Sequence, residues 1–404
     1  MQNLKTENNY EWKNYLLKDC VDILDNQRVP VNSSDREKRQ GKIPYYGATG
    51  LVGWIDDFLF NEELVLVGED GAPFLDKSKP IAYLINGRSW VNNHAHVLRA
   101  KNGMTNNWFI KYYLDYFDFT DFVGGTTRLK LNQSALKNIP IKLPSEEVQE
   151  KITTTLKKAT SFIEQTKLKI SRARNIITKF RQAILSAAIT GKLTEDWREK
   201  NNKKIDDWGK GILGDFINNF QNGLSKRYAN EGQETVVLRL ADIRNYETQT
   251  EHVRKIKMSL KEKEKYKLNK EDILIIRVNG SPQIVGNFIL IREINDWAYC
   301  DHFIRIRLKS NISSAFLLYF SQLDEVRNYI NQNMVSSAGQ NTVNQEMIKN
   351  ISLHLPTYDE QIEIVKIIQE YFSIANQAEK QIESAETRVS KLTQAILAKT
   401  FNKN

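Results

Sequence analysis

Several loops of this chain place basic or amide side chains beside glycine, an arrangement suited to binding phosphate groups or the edges of nucleic-acid bases. Glycine permits close backbone approach, and the polar side chains supply hydrogen bonds. Solvated turn residues remain the alternative for each position. Candidates in the first half are Tyr45, Tyr46, Thr49, Arg88, Asn92, Asn93, His94, Thr126, Thr127, Arg128 and Lys130. Candidates in the second half are Lys226, Arg227, Arg239, Arg277, Asn279, Ser281, Gln283, Gln340 and Asn341.

Metal binding is a further possibility at two histidines. His94 and His96 lie two positions apart, so they would share one face of a strand. A zinc site needs three or four protein ligands, and no third ligand is evident among the five histidines of the chain. We therefore favour a hydrogen-bonded strand histidine and predict no metal site.

Catalytic motifs are missing from the sequence. It contains no phosphate-binding Gly-x-x-x-x-Gly-Lys-Ser/Thr loop, no His-Glu-x-x-His pair and no Gly-x-Ser-x-Gly elbow. The Asn/Asp-Pro-Pro-Tyr/Phe tetrapeptide of amino-methyltransferases is absent as well. We predict a chain that is not catalytic alone and holds no cofactor. Two alternatives stay open: a self-contained DNA-modifying enzyme built from residues such as Glu69, Asp70 and His94, and a coiled-coil scaffold without sequence-specific DNA binding.

The bulk composition is that of a globular protein with a basic surface. The chain has 404 residues, a net charge of +9 and 41% hydrophobic residues. A basic balance fits a polyanionic partner without proving one. The two cysteines, Cys20 and Cys300, lack metal-site spacing and are expected to be reduced thiols of a cytoplasmic protein. No apolar run approaches a membrane span, and residues 1–7 do not resemble a signal peptide.

An internal repeat organises the elements that carry these residues. The segment from Leu131 to Pro144 returns between Val343 and Pro356, at an offset of 212 positions that holds through the stretch that follows. Each copy is a globular part followed by a long helix. Short apolar runs in the globular parts predict strands, and apolar spacing predicts helices at 108–117 and 315–329. Two similar but non-identical copies point to a target with two parts.

The two long helices each carry a heptad pattern, in which apolar residues alternate at steps of three and four. Such seams could pair with each other, either antiparallel or parallel. The predicted interface residues are Ile152, Leu156, Ile163, Ile170, Ile177, Phe180, Ile184, Ile364, Ile368, Ile382, Val389, Leu392 and Ile396. Ser145 is predicted to cap the first helix, and Thr357 with Glu360 is predicted to form a capping box at the start of the second.

Specific motifs resemble the specificity subunits of type I restriction–modification enzymes. In the first half these are residues 43–50, 53–57 and 66–71, and Gly191–Arg198 after the first helix. In the second half, Tyr266–Leu268 and Asp272–Ser281 are similar to another variant of the same recognition domain. The resemblance covers nearly the whole chain.

The resemblance implies an α+β fold with two mixed α/β target recognition domains, separated by an antiparallel pair of long coiled-coil helices related by a pseudo-twofold repeat. Each domain would read one half of a bipartite, asymmetric site in double-stranded DNA, and the helices would set the spacing. They would also dock two modification methyltransferase subunits, which restriction and translocase subunits join. S-adenosylmethionine, ATP and Mg would then be bound by those partners. The predicted boundaries are 1–144, 145–193, a linker at 194–207, 208–356 and 357–404.

Overall fold

The computed structural model describes residues 11–227, 231–244, 247–248, 253–293 and 296–402. The expectation about a signal peptide concerns residues outside these ranges. The chain forms two compact units, which are described separately. The first unit combines Met1–Ala173 with Gln381–Asn404, and the second unit is Arg174–Lys380. Each unit therefore contains one globular part and portions of both long helices. Within the described ranges, no helix is long and apolar enough to cross a membrane.

In the part of the first unit that the structure describes, ten strands and four short helices precede the start of a long helix. The strands are β1 (Lys13–Leu16), β2 (Val21–Ile23), β3 (Ile43–Gly47), β4 (Gly50–Ile55), β5 (Phe60–Asn61), β6 (Leu64–Gly68), β7 (Ala82–Ile85), β8 (Arg88–Val91), β9 (Ala95–Ala100) and β10 (Pro140–Leu143). The helices are α1 (Leu17–Cys20), α2 (Ser33–Lys38), α3 (Asn107–Tyr116), α4 (Gln133–Lys137) and the long α5 (Glu146–Ile189). The helix predicted at 108–117 is confirmed.

Two four-stranded sheets carry the polar loops of the first unit. One has the order β2-β9-β6-β7 and is antiparallel throughout. The other has the order β4-β3-β8-β5, in which β3 and β8 run parallel. All five residues of β6 are buried, because the strand lies in the interior of its sheet. The turns that follow β6 and precede β9 therefore start from fixed positions.

The described residues of the second unit form fourteen strands. They are β11 (Gly209–Ile212), β12 (Ile217–Asn222), β13 (Gln233–Leu238), β14 (Ile243–Arg244), β15 (Glu247–Thr248), β16 (Lys255–Met258), β17 (Ile273–Ile276), β18 (Val278–Asn279), β19 (Phe288–Leu290), β20 (Ala298–Tyr299), β21 (Phe303–Leu308), β22 (Val335–Ser337), β23 (Gln340–Thr342) and β24 (Ser352–Leu355). Its helices are α6 (Glu195–Lys200), α7 (Leu260–Tyr266), α8 (Ser314–Phe320), α9 (Asp324–Asn333), α10 (Gln345–Lys349) and the long α11 (Tyr358–Phe401).

The second unit repeats the main sheet of the first. Its order, β12-β21-β17-β19, matches β2-β9-β6-β7 strand for strand. The single helix predicted at 315–329 is wrong, because α8 and α9 are separate. Between them Leu323 takes an extended conformation (φ −61°, ψ 140°) and buries its side chain. That burial ends the helical path and redirects the chain.

The long helices pack against each other antiparallel within each unit. In the second unit Leu185 of α5 shares a core with Ile364 and Ile368 of α11, whereas the earlier residue Arg181 pairs with the later Glu379 at 2.8 Å. In the first unit Leu156 shares a core with Leu397. The antiparallel pairing expected from the resemblance is confirmed inside each unit.

The buried stripe departs from the predicted heptads near the helix ends. Leu392, predicted in the seam, is 40% exposed, and Leu397 is more buried than its predicted neighbour Ile396. Leu185 is likewise more buried than Ile184. A straight α-helix has 3.6 residues per turn, so a 3.5-residue pattern drifts around it and the buried position moves on by one residue.

The entrances of the two long helices are built alike. Gln149, 1% exposed, donates from Nε2 to the carbonyls of Pro144 and Met104, both at 2.9 Å. Gln361, fully buried, donates to the carbonyls of Pro356 at 2.9 Å and Asn311 at 3.1 Å. The 212-residue offset therefore holds for buried hydrogen bonds as well as for sequence.

The predicted capping box at the start of α11 is wrong. The Glu360 carboxylate is buried and accepts hydrogen bonds from Arg198 at 2.6 Å, Thr194 at 2.7 Å and the Trp208 indole at 2.8 Å. The Thr357 hydroxyl has no hydrogen-bond partner in the described part of the chain. A buried guanidinium is a stronger partner for this carboxylate than a backbone N–H at the helix start. Residues 194–207, predicted as a linker, include helix α6 and contribute these buried contacts.

Candidate nucleic-acid interface

Three loops of the first unit meet at the end of β6. The Glu69 amide donates to the His94 carbonyl at 2.8 Å, and the Leu131 amide donates to the Glu69 carbonyl at 2.8 Å. The backbone therefore fixes the turn after β6 to the loop before β9 and to the segment before α4. Candidate residues on two separate stretches of sequence are brought onto one surface.

Acidic side chains at this meeting point hold the basic candidates in place. The Asp70 carboxylate contacts His94 Nδ1 and Arg128, each at 2.9 Å, and Glu69 contacts Lys130 at 3.2 Å. Arg128 and Lys130 remain mostly exposed, with 61% and 54% of their side chains accessible. Such exposed pairs add little stability, so their positive groups can turn to another anion at small cost.

A buried ion pair lies beneath this surface. His96 Nδ1 contacts Asp25 at 2.6 Å, and His96 Nε2 contacts the Leu131 carbonyl at 2.8 Å. Burial alone would raise the pKa of the Asp25 carboxyl, but hydrogen bonds from His96, the Val97 amide and Gln133 outweigh it, and the pKa lies below its ordinary value. Both ring nitrogens of His96 therefore face hydrogen-bond acceptors, the Asp25 carboxylate and the Leu131 carbonyl.

The metal alternative for His94 and His96 is not supported. The His94 ring bonds Asp70, while His96 faces Asp25. Asp25, Glu69 and His96 do lie close enough to hold an ion. Arg28 already occupies that position, however, contacting Glu69 at 2.7 Å and Asp25 at 3.5 Å. The favoured interpretation, a hydrogen-bonded strand histidine, describes His96 well.

The first-unit candidates divide by exposure. Tyr45 is 1% exposed and donates its hydroxyl to the Val31 carbonyl at 3.0 Å, so its assignment as a contact residue is wrong. Asn92 is 8% exposed and its side chain accepts from the His94 amide at 2.8 Å, which makes it a turn-forming residue. Tyr46 is half-buried against Tyr83, and His94 is also half-buried. The exposed candidates are Thr49, Arg88, Asn93, Thr126, Thr127, Arg128 and Lys130.

The second unit reproduces the backbone frame of the first. The Arg277 amide donates to the His302 carbonyl at 2.7 Å, and the Val343 amide donates to the Arg277 carbonyl at 2.9 Å. Arg277 thus occupies the place of Glu69 at the end of the central strand. The same frame carries an acidic side chain in one unit and a basic one in the other.

A small three-stranded sheet gathers several second-unit candidates. Its order is β18-β23-β22, and it contains Asn279, Gln340 and Asn341. Asn341 is 8% exposed and donates to the Gly280 carbonyl at 2.9 Å, so it fixes the sheet and its assignment as a contact residue is wrong. The Asn279 side chain accepts from the Ser281 amide at 2.8 Å, and the Ser281 hydroxyl donates to Gln283 at 2.8 Å. Gln283 and Gln340 are exposed.

The remaining basic candidates of the second unit are paired with acids. Arg227 contacts Asp301 at 2.8 Å, Arg239 contacts Asp242 at 2.8 Å and Lys226 contacts Glu262 at 3.2 Å. The Arg277 guanidinium makes a long contact, 3.3 Å, with the Asp301 carbonyl. Burial would raise the pKa of the Asp301 carboxyl, but Arg227 lowers it below its ordinary value. Both cysteines are free and buried.

Comparison with known proteins decides the family. The sequence profile described as "Type I restriction modification DNA specificity domain" matches residues 9–173 and 205–385, one match in each copy of the repeat. The chain belongs to this family. As a specificity-domain chain it is 43% identical over 270 residues to the StySPI specificity subunit of Salmonella potsdam, a type I restriction enzyme subunit. It is 32% identical over 270 residues to the EcoKI specificity subunit of Escherichia coli K12.

Each of these two alignments covers 66% of the specificity-domain chain and 57% of the relative, so the match spans little more than half the length of either curated protein. A solved structure described as showing complex assembly and conformational transition of the type I R-M system has a similar fold. Its TM-score is 0.64 at 15% identity, covering 96% of this chain and 97% of that one. This likeness confirms the α+β fold class with two domains and long helices.

Two important arginines of this specificity-domain chain were missed by sequence reasoning. The Arg28 guanidinium donates hydrogen bonds to the Glu69 carboxylate and to the Ala95 carbonyl, and Ala95 lies 67 positions later in the sequence. Arg254 lines a cavity with Arg227 and Cys300. No local motif marks either residue, because the residues that surround each of them are distant in sequence. The pairing of Arg198 with Glu360 was not predicted either. Its one signal in the sequence was its place in the Gly191–Arg198 motif.

Proposed function

We propose that this chain is the DNA sequence-recognition subunit of a type I restriction–modification complex. Each globular part would read one half of a bipartite, asymmetric site in double-stranded DNA. The observation that carries the proposal is the shared frame at the end of β6 and β17, where equivalent backbone hydrogen bonds support Glu69 in one unit and Arg277 in the other. A repeated frame with exchanged side chains is what reading two different half-sites requires.

The first half-site would be read by the loops around Glu69 and Asp70. Thr126, Thr127, Arg128 and Lys130 lie on the exposed loop 124–130, and Asn93 lies on the adjoining turn. The acids beneath them shape specificity. A carboxylate can only accept hydrogen bonds, so it favours groups that donate them, and its negative charge repels phosphate. Arginine and lysine favour guanine, and amide groups favour adenine, at the base edges of the major groove.

The second half-site would be read by the three-stranded sheet and by Arg277. Gln340 and Gln283 are exposed amides, and Ser281 is half-buried beside Gln283. Both glutamines can pair with adenine in a bidentate manner. Arg227 and Arg239, held by acids, would contact the phosphate backbone.

The long helices also carry a repeated apolar feature that supports partner docking. Phe162 of α5 is 66% exposed, and Ile374 of α11 is 60% exposed. These residues occupy equivalent positions of the repeat, 212 residues apart. A large apolar side chain exposed at the same point of both copies fits two copies of one partner. We propose that these positions contact two methyltransferase subunits, and that the helices set the gap between half-sites.

Catalysis would then be supplied by partner subunits. The two curated relatives above are both named specificity subunits of type I restriction enzymes. Methyl transfer with S-adenosylmethionine, and ATP-driven translocation and cleavage with Mg, would be carried out by the methyltransferase and restriction subunits. The scaffold alternative predicts DNA binding that is independent of sequence, and the self-contained enzyme alternative predicts activity from the isolated chain.

The test is to co-express the chain with its methyltransferase subunit and to map modified bases in the host DNA. The proposal predicts a bipartite motif with a fixed gap. Thr127→Ala and Arg128→Ala should relax only one half of the motif, and Gln340→Ala only the other. A continuous motif, or a folded complex that modifies no DNA, would contradict the proposal. Phe162→Ser and Ile374→Ser should each weaken binding of one methyltransferase copy without changing the motif.

A further inference from the structure

The second unit contains a cavity whose wall is rich in arginine. Its volume is about 240 Å³, which is large enough for a phosphate group. The cavity lies between the segment that follows β13, the Cys300–His302 turn and the segment before β16. It is lined by Arg227, Arg239, Leu240, Ala241, Arg254, Cys300 and His302.

Arg254 differs from the other two arginines in its hydrogen bonding. Arg227 is paired with Asp301 and Arg239 with Asp242. Arg254 Nε and Nη2 are buried, and neither has a hydrogen-bond partner among the residues that the structure describes. The Arg254 carbonyl accepts from the Val237 amide at 2.9 Å, so the backbone that carries this side chain is anchored to β13.

The two unpartnered nitrogens form one edge of the guanidinium group. That edge presents two parallel N–H donors, which match two oxygens of a phosphate or carboxylate. Leaving a charged donor buried without a partner is costly, so the arrangement is complete only when an anion is bound. An uncharged ligand would not balance the positive charge.

A metal cation is the competing occupant, since Cys300, Asp301 and His302 lie close enough together to hold one. Three guanidinium groups border the same cavity and would repel a cation. Asp301 is already paired with Arg227 through both of its oxygens, at 2.8 and 3.2 Å. The Cys300 thiol is buried, and burial raises its pKa, which disfavours the thiolate form in the absence of a metal. An anion is therefore the better match.

We infer that Arg254 and its cavity bind a phosphate group of the DNA backbone beside the second half-site. This inference rests on the proposed function. The chemistry is shared by free inorganic phosphate, and the experiment separates the two sources. A backbone contact adds affinity without sequence preference, so the cavity would position the second unit on DNA while other residues read bases.

The test uses the chain assembled with its methyltransferase subunits and a duplex that carries the mapped site. Single methylphosphonate linkages, which lack the backbone charge, are placed one at a time across the second half-site. Wild type should lose about three- to tenfold in affinity at one linkage. Arg254→Gln should bind the unmodified duplex more weakly by a similar factor, and should be insensitive to that linkage. For this variant, the slope of log affinity against log salt concentration should be smaller in magnitude by about one than for wild type.

Lys309→Gln is the matched control, because it also removes one positive charge from the second unit, but at an exposed position. Lys309 follows the opposite end of β21, about 20 Å from His302 at ~3.3 Å per residue. This variant should keep the sensitivity to the critical linkage. Arg254→Lys, which keeps the charge but loses the paired donors, tests the geometry if Arg254→Gln does not fold. It should retain the salt dependence and lose part of the affinity.

Three results would overturn the inference. One is a folded Arg254→Gln variant that still loses affinity at the same linkage, and another is a wild type that tolerates every neutral linkage. The third is thermal stabilisation of wild type, but not of Arg254→Gln, by inorganic phosphate at matched ionic strength, without any change in DNA binding. None of these three results would contradict the proposal that the chain recognises a bipartite DNA site. Wild-type binding that ignores DNA sequence would instead contradict the proposed function.

Discussion

The turn after β6 and the turn after β17 hold the same position in two copies of one frame, yet their side chains have opposite charge. Glu69 is 15% exposed and contacts Arg28 and Lys130, whereas the one side-chain contact of Arg277 with the described residues is a carbonyl at 3.3 Å. The first turn is thus tied into the core by ion pairs, and the second leaves its arginine available. The frame is fixed by backbone hydrogen bonds, so side chains on it can change without loss of the fold.

The largest difference between the copies is at the helix entrance, where Glu360 corresponds to Val148. Glu360→Val should lower the free energy of unfolding of the second unit by about 3–5 kcal/mol, because it leaves Arg198 buried without its carboxylate. Denaturant unfolding measures the effect. The double variant Arg198→Met/Glu360→Val should recover most of the lost stability. A single variant as stable as wild type would show that the pair is unimportant.

The two turns themselves can be compared by truncation. Glu69→Ala should destabilise the first unit by about 1–3 kcal/mol, since it leaves Arg28 partly buried with one acidic partner fewer. Arg277→Ala should change stability by less than about 0.5 kcal/mol, as expected for a substitution that removes no strong contact. The latter variant should weaken DNA binding at the second half-site only. If the two substitutions destabilised their units equally, the difference proposed between the Glu69 turn and the Arg277 turn would be wrong.

Acid should affect the first unit through Asp25. Its pKa is lowered in the folded chain, so the stability it contributes is present above the ordinary value of 3.8 and is lost as pH falls through the lower folded value. The expected result is a fall in melting temperature below about pH 4 that Asp25→Asn reduces. Asp121→Asn, at an exposed position of the same unit, serves as the control. If Asp25→Asn shows the same fall in melting temperature at low pH as wild type, Asp25 is not the cause of the acid response.

The smallest expected stability effect is at the surface. Lys130→Ala should alter the free energy of unfolding by less than about 1 kcal/mol, because more than half of its side chain is exposed. The same variant should reduce affinity for DNA, with most of the loss at low salt. Thermal melting and a salt titration of DNA binding separate the two effects. A stability loss close to that of Glu69→Ala would assign Lys130 a structural role.

The repeat, the long helices and the presence of strands in the globular parts could be predicted because each leaves a pattern in the sequence. Gln149 and Gln361 are an example. The 212-residue offset predicts that they are equivalent, and in the structure they make equivalent buried hydrogen bonds. The side-chain contacts could not be predicted in the same way. Tyr45 and Asn341 have the residue types of contact residues, but the fold buries them. Arg28 and Arg254 lie among residues that are far away in sequence, so no local pattern marks them.

The matched helix entrances also bear on how such a chain can change over time. Pro144 and Pro356 end their globular parts at joints that are fastened by the same buried glutamine bonds. A gene segment cut at these two codons would carry one full period, and the glutamine that completes the joint at its far end would come from the recipient gene. Because both entrances use the same glutamine at the same offset, fragments exchanged between related genes at this boundary would meet an equivalent joint, and new pairs of domains could arise in a single recombination event.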